Sequence, residues 1–237
     1  MAKNTYYKND AEKEALKALR DAFTFDAPPP SNLNIMIAGL QKSGKTHLLC
    51  TLAGPEYGPL YLLDTEQRAQ LVTEKFDKKW VHRAIVRDYT ELVAGMKYVI
   101  KTVKAPAIIA IDSGTDLEKY ACDKYLADVG RERMGMPITY PEMYAYIYAV
   151  IDDLKNSGFT VVWTTKVKDE YVGDKSTGKL LPRIFKDLPY RADLVIQIRE
   201  QDRVPYVLHN GLHDNQGIML SRDMSLPQMI QAAREGK

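Results

Sequence analysis

Residues 39–46 read GLQKSGKT, which matches the pattern G-x-x-x-x-G-K-[ST] at every position. The apolar run LNIMIAG (33–39) leads into it and reads as a strand, and Thr46 to Ala53 reads as a helix. Strand, glycine-bearing turn and helix, in that order, give each residue of the loop a physical task. Gly39 and Gly44 allow backbone angles that other residues resist. The loop amides and the helix N-terminus then point at phosphate oxygens. Lys45 brings a cation to the β- and γ-phosphates, and Thr46 offers a hydroxyl to Mg²⁺. Gln41, Lys42 and Ser43 complete the nucleotide-binding loop. His47 follows it, either beside the nucleotide or packed within the helix.

Outward from this loop, strands and helices alternate. LYLLD (60–64), HRAIVRD (82–88), AIIAID (107–112) and FTVVWTT (159–165) read as strands. Residues 66–76, 90–103, 115–128 and 140–156 read as helices, the second with Leu92, Met96, Val99 and Val103 on one side. DLVIQIR (193–199) and PYVLHN (205–210) read as an antiparallel pair, and a short helix begins near 226. The pattern predicts an α/β fold: a mostly parallel twisted sheet flanked by helices, with a short antiparallel extension near the C-terminus. Upstream, AEKEALKALRDAF (11–23) reads as a helix with Ala15, Leu16, Leu19 and Phe23 near one face, and PPP (28–30) breaks it. This divides the chain into a leading helix and Pro-rich linker (1–30) and one domain (31–237).

Composition agrees with that division. At 237 residues, 45% hydrophobic and 27% charged, the chain has the make-up of a globular protein and not of a disordered or collagen-like one. A net charge of +2 sets up no global field that demands nucleic acid. The two cysteines, Cys50 and Cys122, cannot build a disulfide framework or a four-cysteine zinc site and read as reduced thiols. None of the four histidines sits in a ligand-type spacing, so no metal beyond the Mg²⁺ carried with ATP is expected. No apolar run approaches the ~20 residues of a membrane span, and the N-terminus has no apolar signal core. The expected setting is the cytosol, that of a host cell if the source is viral.

Two acids stand where chemistry on a nucleotide needs them. AIIAIDS (107–113) is a buried-type strand ending in Asp112, placed to support Mg²⁺. Residue 113 is serine, so the consecutive Asp-Glu pair of AAA+ ATPases is absent and the base lies elsewhere. LYLLD is followed at once by Thr65 and Glu66. Glu66 falls at the C-terminal edge of its strand, where ligands collect in open α/β sheets, and is the candidate general base, with Asp64 the alternative.

The succession GLQKSGKT, LLDTEQ and AIIAIDSGTDL resembles the ATPase core of RecA-like recombinases over roughly residues 33–200. The nearest likeness is to small phage-type ATPases of single-strand annealing and recombination. The resemblance implies ATP hydrolysis with Mg²⁺, carried by Lys45, Thr46, Asp112 and Glu66. It also implies a γ-phosphate sensor closing the strand FTVVWTTK, for which Thr165 is the candidate, although RecA itself has glutamine there. Single-stranded DNA would bind two loops: VGRERMGMPITYPE (129–142), with Arg131 and Arg133, and VKDEYVGDKSTGKLLPR (167–183), with Lys168, Lys175, Lys179 and Arg183. Gly173 and Gly178 mark the second as a mobile loop, and Asp169, Glu170 and Asp174 interleave its cations. Rings or filaments of one chain are implied, with a cation reaching the next subunit's γ-phosphate; Lys166, Lys168, Arg183, Lys186 and Arg191 are candidates. A single-strand binding protein or another recombination protein is a further implied partner. Tyr140, Tyr144 and Tyr148, at i, i+4 and i+8, read as a packed helix face and alternatively as a base-stacking row. A nucleotide or nucleoside kinase, a motor subunit and a nucleotide-dependent switch are the competing functions that the same loop allows.

Overall fold

Alternate residues of each apolar run must face opposite sides of a sheet, and here both sides are covered. The computed structural model describes residues 32–132, 140–214 and 216–237. The predicted leading helix and linker, and Arg133 to Met136 of the first candidate loop, lie outside the described residues. The strands are β1 (Asn34–Ala38), β2 (Leu60–Asp64), β3 (Val81–Ile85), β4 (Ile108–Asp112), β5 (Thr160–Val172), β6 (Lys175–Arg183), β7 (Leu194–Ile198) and β8 (Pro205–Asn210). The helices are α1 (Lys45–Cys50), α2 (Gln70–Thr73), α3 (Tyr89–Thr102), α4 (Thr115–Asp128), α5 (Tyr140–Lys155), α6 (Leu188–Arg191) and α7 (Leu226–Glu235). Sheet order is β3-β2-β4-β5-β1-β7-β8, with β6 paired only to β5. Every pairing from β3 to β7 is parallel, and β8 runs antiparallel to β7. This is the architecture that the sequence pattern predicts.

The parity of the strands sorts the core into two layers. Ile35, Ile37, Leu60, Leu62, Ile108, Ala110, Val162 and Ile196 pack with Leu48 and Leu49 of α1 and Met229 and Ile230 of α7. Met36, Leu63, Ile109, Ile111, Val161, Trp163 and Val195 pack with Leu92 and Met96 of α3, Ala121 of α4 and Ile147 and Val150 of α5. The tyrosines of α5 belong to this second layer: Tyr144 and Tyr148 pack on Phe185 at centroid distances of 4.9 and 5.3 Å. Cys50 is buried in α1, and burial pushes its thiol up to about 12, so it is inert; Cys122 is half-buried in α4. Among the described residues no helix is long and apolar enough to cross a membrane.

Two elements depart from the sequence reading. The helix expected over 66–76 is reduced to the four residues of α2. Asp64, at the end of β2, accepts from the amides of Ala69 (3.0 Å) and Arg68 (3.4 Å), so the chain loops through 65–69 before it can coil. The strand expected to stop at Thr165 runs on to Val172 and returns as β6. The stretch 167–183 is therefore a hairpin, not an irregular loop. Val172 pairs with Lys175 across the two-residue turn Gly173-Asp174, where Gly173 takes a positive φ of 63°.

Asp64 also anchors the sheet edge. Its carboxylate, 1% exposed, accepts from Arg83 Nε on β3 at 2.7 Å. Little of β3 is buried, so this ion pair and the backbone ladder hold it. Replacing Arg83 with methionine leaves a buried carboxylate with only amides for partners. It is expected to cost about 2–3 kcal/mol, less than a fully buried pair because Arg83 is partly solvated. Urea denaturation of the variant checks this.

Candidate functional site

The loop after β1 turns at Gly44, whose φ of 100° lies in the left-handed region, and α1 begins at the next residue. Gly39 takes part in the closure: its amide donates to Thr165 O at 3.1 Å, and a Cβ there would stand 2.7 Å from Ser43 Oγ. Lys45 is buried, and its ammonium donates to the carbonyls of Gly39 (3.0 Å) and Leu40 (2.7 Å). Burial pulls its pKa below the usual lysine range and Lys166 adds to the effect, while Asp112 and Glu66 oppose it.

Parity brings the acids to this loop. Asp112 ends β4 on the same face as Ile108 and Ala110, the face that α1 covers. Thr46 Oγ1 donates to Asp112 Oδ2 at 2.6 Å, and Thr164 Oγ1 donates to Oδ1. Burial raises the Asp112 carboxyl above its usual range; the two hydroxyls lower it, and the nearby charges of Asp64 and Glu66 raise it further. The Asp112–Ser113 peptide is cis. Glu66 stands across the cleft with Oε1 2.8 Å from Lys166 Nζ. Gln41, Lys42, Gly44, Lys45, Thr46, His47, Glu66, Asp112 and Lys166 line one cleft of about 400 Å³ at the C-terminal edge of the sheet.

This donor set suits a magnesium nucleotide. Among the described residues no cluster of three or more His, Cys, Asp or Glu side chains could cage a metal. One hydroxyl and one carboxylate, 2.6 Å apart, are instead what a cation needs when phosphate and water supply its other ligands.

The remaining sequence candidates fall elsewhere. Thr165 is buried with the opposite parity: its hydroxyl lies 2.9 Å from Arg183 O and 3.1 Å from Thr115 Oγ1. The threonine that meets Asp112 is Thr164. Counting alternation forward from Val162, a core residue on the α1 face, would have found it. Asp64 also lines the cleft but is committed to Arg83 and to the amides after β2, leaving Glu66 as the more accessible acid. His47 lies in the cleft wall with its ring 5.3 Å from Phe76. Ser43 Oγ is buried with no partner. Lys168, Lys175 and Lys179 are exposed on the β5–β6 hairpin, with Arg183 at its base and Arg131 exposed beyond α4. Arg191 is held by Asp152 at 3.1 Å and lies over the Tyr148 ring.

Fold and loop together define the class: a P-loop NTPase with a RecA-like sheet. The chain matches the AAA domain family over residues 31–221 and belongs to it. It carries Ser113 directly after Asp112, and the Ser113 hydroxyl accepts from Thr115 N at 3.2 Å. Among solved structures it is similar to the RadB recombinase, with 15% sequence identity and a TM-score of 0.50. That match covers 80% of this chain and 86% of the other, and at this identity it is a likeness of fold. None of the curated proteins compared with the chain matches it significantly.

The electrostatics give a stability prediction. The cost of charging Asp112 in the fold is absent below its ordinary value of 3.8 and grows as pH rises through the raised folded value. Asp112→Asn removes the charge and still offers each hydroxyl a partner, its Oδ1 accepting from one and its Nδ2 donating to the other. It should therefore stabilise the protein at pH 7 and raise its Tm there. The gain should shrink as pH falls through the raised folded value and vanish below 3.8, as thermal unfolding followed across pH will show.

Proposed function

We propose that the protein hydrolyses ATP with Mg²⁺ and does so in the handling of single-stranded DNA during recombination, repair or replication, in a phage-type system. The observation that carries the reading is the convergence of Lys45, Thr46, Asp112 and Glu66 on one cleft at the sheet's C-terminal edge. Membership of the AAA domain family and the recombinase-like fold support it.

The residues divide the work. The loop amides and Lys45 hold the phosphates. Thr46 and Asp112 would hold Mg²⁺, which when bound neutralises charge on the phosphate oxygens. Glu66 orients a water and takes its proton on a carboxylate oxygen. The water oxygen bonds to the γ-phosphorus as the bond to the bridging oxygen breaks; that electron pair stays with ADP, and phosphate leaves. Positioning and charge stabilisation supply most of the rate. The absence of a guanine-reading N-K-x-D motif from the sequence favours ATP over GTP.

The hairpin supports the DNA part of the reading. Lys168, Lys175 and Lys179 are exposed beside Tyr171, itself 61% exposed, which offers cations for phosphate and a ring for a base. Acids on the same hairpin moderate its charge: Glu170 accepts from Thr177 Oγ1 at 2.7 Å. A ring or filament of copies is part of the proposal, with Lys168, Arg183 and Lys186 the candidates for a cation offered to a neighbour.

Two experiments test it. Glu66→Gln should lower turnover by about 10²-fold or more while ATP still binds, and Lys45→Ala should lose both. Normal hydrolysis by Glu66→Gln would end the assignment. Changing Lys168, Lys175 and Lys179 together to alanine should weaken single-stranded DNA binding, flatten its salt dependence and remove any DNA stimulation of turnover. Unchanged binding would return the hairpin to plain surface.

A further inference from the structure

We propose that the groove between β6 and the ends of β7 and β8 receives one unstacked base of a single DNA strand, and that Gln197 selects a base carrying an amino group. The inference rests on the DNA-handling reading above and adds a base preference to it.

An unpaired acceptor is the first argument. β7 reads Leu-Val-Ile-Gln-Ile, and Gln197 is its one polar residue. Gln197 is 3% exposed and pairs with Ala38 of β1 on one side and Tyr206 of β8 on the other. It shares the parity of Val195, so it faces away from α1. Its Nε2 donates to Leu180 O of β6 at 3.2 Å. That bond fixes which end of the amide is which, because a flipped amide would set carbonyl against carbonyl. Gln197 Oε1 is buried and has no partner among the described residues. A buried carbonyl oxygen left in this way is costly, and a ligand N–H removes the cost.

The shape and charge of the groove are the second argument. Gln197 lies in its wall with Leu180, Leu181, Tyr206, Leu208 and Met219, the last bridging to Tyr206. The space is about 400 Å³, and walls of this kind suit a flat ring. Lys179, Glu200 and Arg199, which is held by Asp202, complete the lining. Lys168 and Lys175 continue the positive charge along the hairpin and offer a path for phosphates. An extended peptide is served less well. On the outward edge of β6, Leu180 O is already taken by Gln197, and Pro182, next in that register, has no amide to donate. With its nitrogen committed, Gln197 can only accept. Cytosine, adenine and guanine offer amino hydrogens to Oε1. Thymine and uracil flank their single ring N–H with carbonyl oxygens, which would meet Oε1 with like charge.

The test uses the full-length protein with Mg²⁺ and a non-hydrolysable ATP analogue, and reads binding by fluorescence anisotropy. The probes are dT oligomers carrying dC at every third position, and the same oligomers carrying dU there. The wild type should bind the dC strand about fivefold more tightly. Gln197→Leu should bind both strands alike, at the level of the dU strand. Met219→Trp fills the groove without touching Gln197 and should do the same; thermal melts show that each variant is folded. Changing Lys168, Lys175 and Lys179 together to alanine should weaken both strands and keep their ratio. If the wild type binds both strands within twofold of each other, the groove assignment is overturned and the DNA-handling reading stands. A dC preference that survives in both Gln197→Leu and Met219→Trp overturns it too, because the base is then read elsewhere. If the wild type binds no single-stranded DNA, that reading fails and the proposal with it. Loss of self-association in Met219→Trp, followed by sedimentation, would then assign the groove to a second copy of the chain.

Discussion

Asp112 is a carboxylate placed in the interior with two hydroxyls and, among the described residues, no ion pair as its direct partners. The rest of the site is arranged around that imbalance. Thr46 belongs to the helix that opens at Gly44, Thr164 to the strand beside β4, and Asp64 and Glu66 add negative charge from the end of β2. Lys45 is folded onto the carbonyls of its own loop, so its charge reaches Asp112 through space. A cleft with this balance attracts cations and places an anion only where Lys45 and the loop amides receive it. The chemistry needs that asymmetry, and the fold bears its cost in stability.

Much of the fold was legible because a parallel sheet buried on both faces leaves a plain trace: short runs of Ile, Val and Leu separated by helical stretches. β2, β8 and α4 occupy the residues read from the sequence. What escaped depended on partners far along the chain. Nothing near Asp64 shows that Arg83 will neutralise it. The 66–76 stretch has helical composition, yet Asp64 captures its amides first. The hairpin was different, because its signal was local. Gly173-Asp174 is a two-residue turn flanked by Val172 and Lys175, but Gly173 and Gly178 together with the family resemblance favoured a mobile loop over a solvated hairpin.

The site divides along the same line. The phosphate loop was plain from its motif, and Asp112 from its strand, since both are properties of a few adjacent residues. Thr164 and Thr165 are neighbours of one type, and only their parity tells them apart. One lies with Val162 on the α1 face and meets Asp112. The other lies with Trp163 and ties β5 to α4 and to Arg183. The likeness of Asp64, Glu66 and Asp112 as acids similarly hides three situations. All three line the cleft, but Asp64 is tied to Arg83, Glu66 to Lys166 and Asp112 to two hydroxyls.

β5 is a single strand of 13 residues whose first half is buried and whose second half stands in solvent. The part that touches Asp112 and the part that carries the hairpin lysines belong to this one strand, whose pairing with β6 shifts register between Asp169 and Tyr171. From Lys166 to Val172 the strand advances about 20 Å at the usual rise per residue. A tilt of about 5° at its root would therefore carry the tip through almost 2 Å, by the geometry of a lever of that length. The hairpin works as a pointer fixed to the sheet, so anything that bends the sheet's edge is written, magnified, on the outer surface.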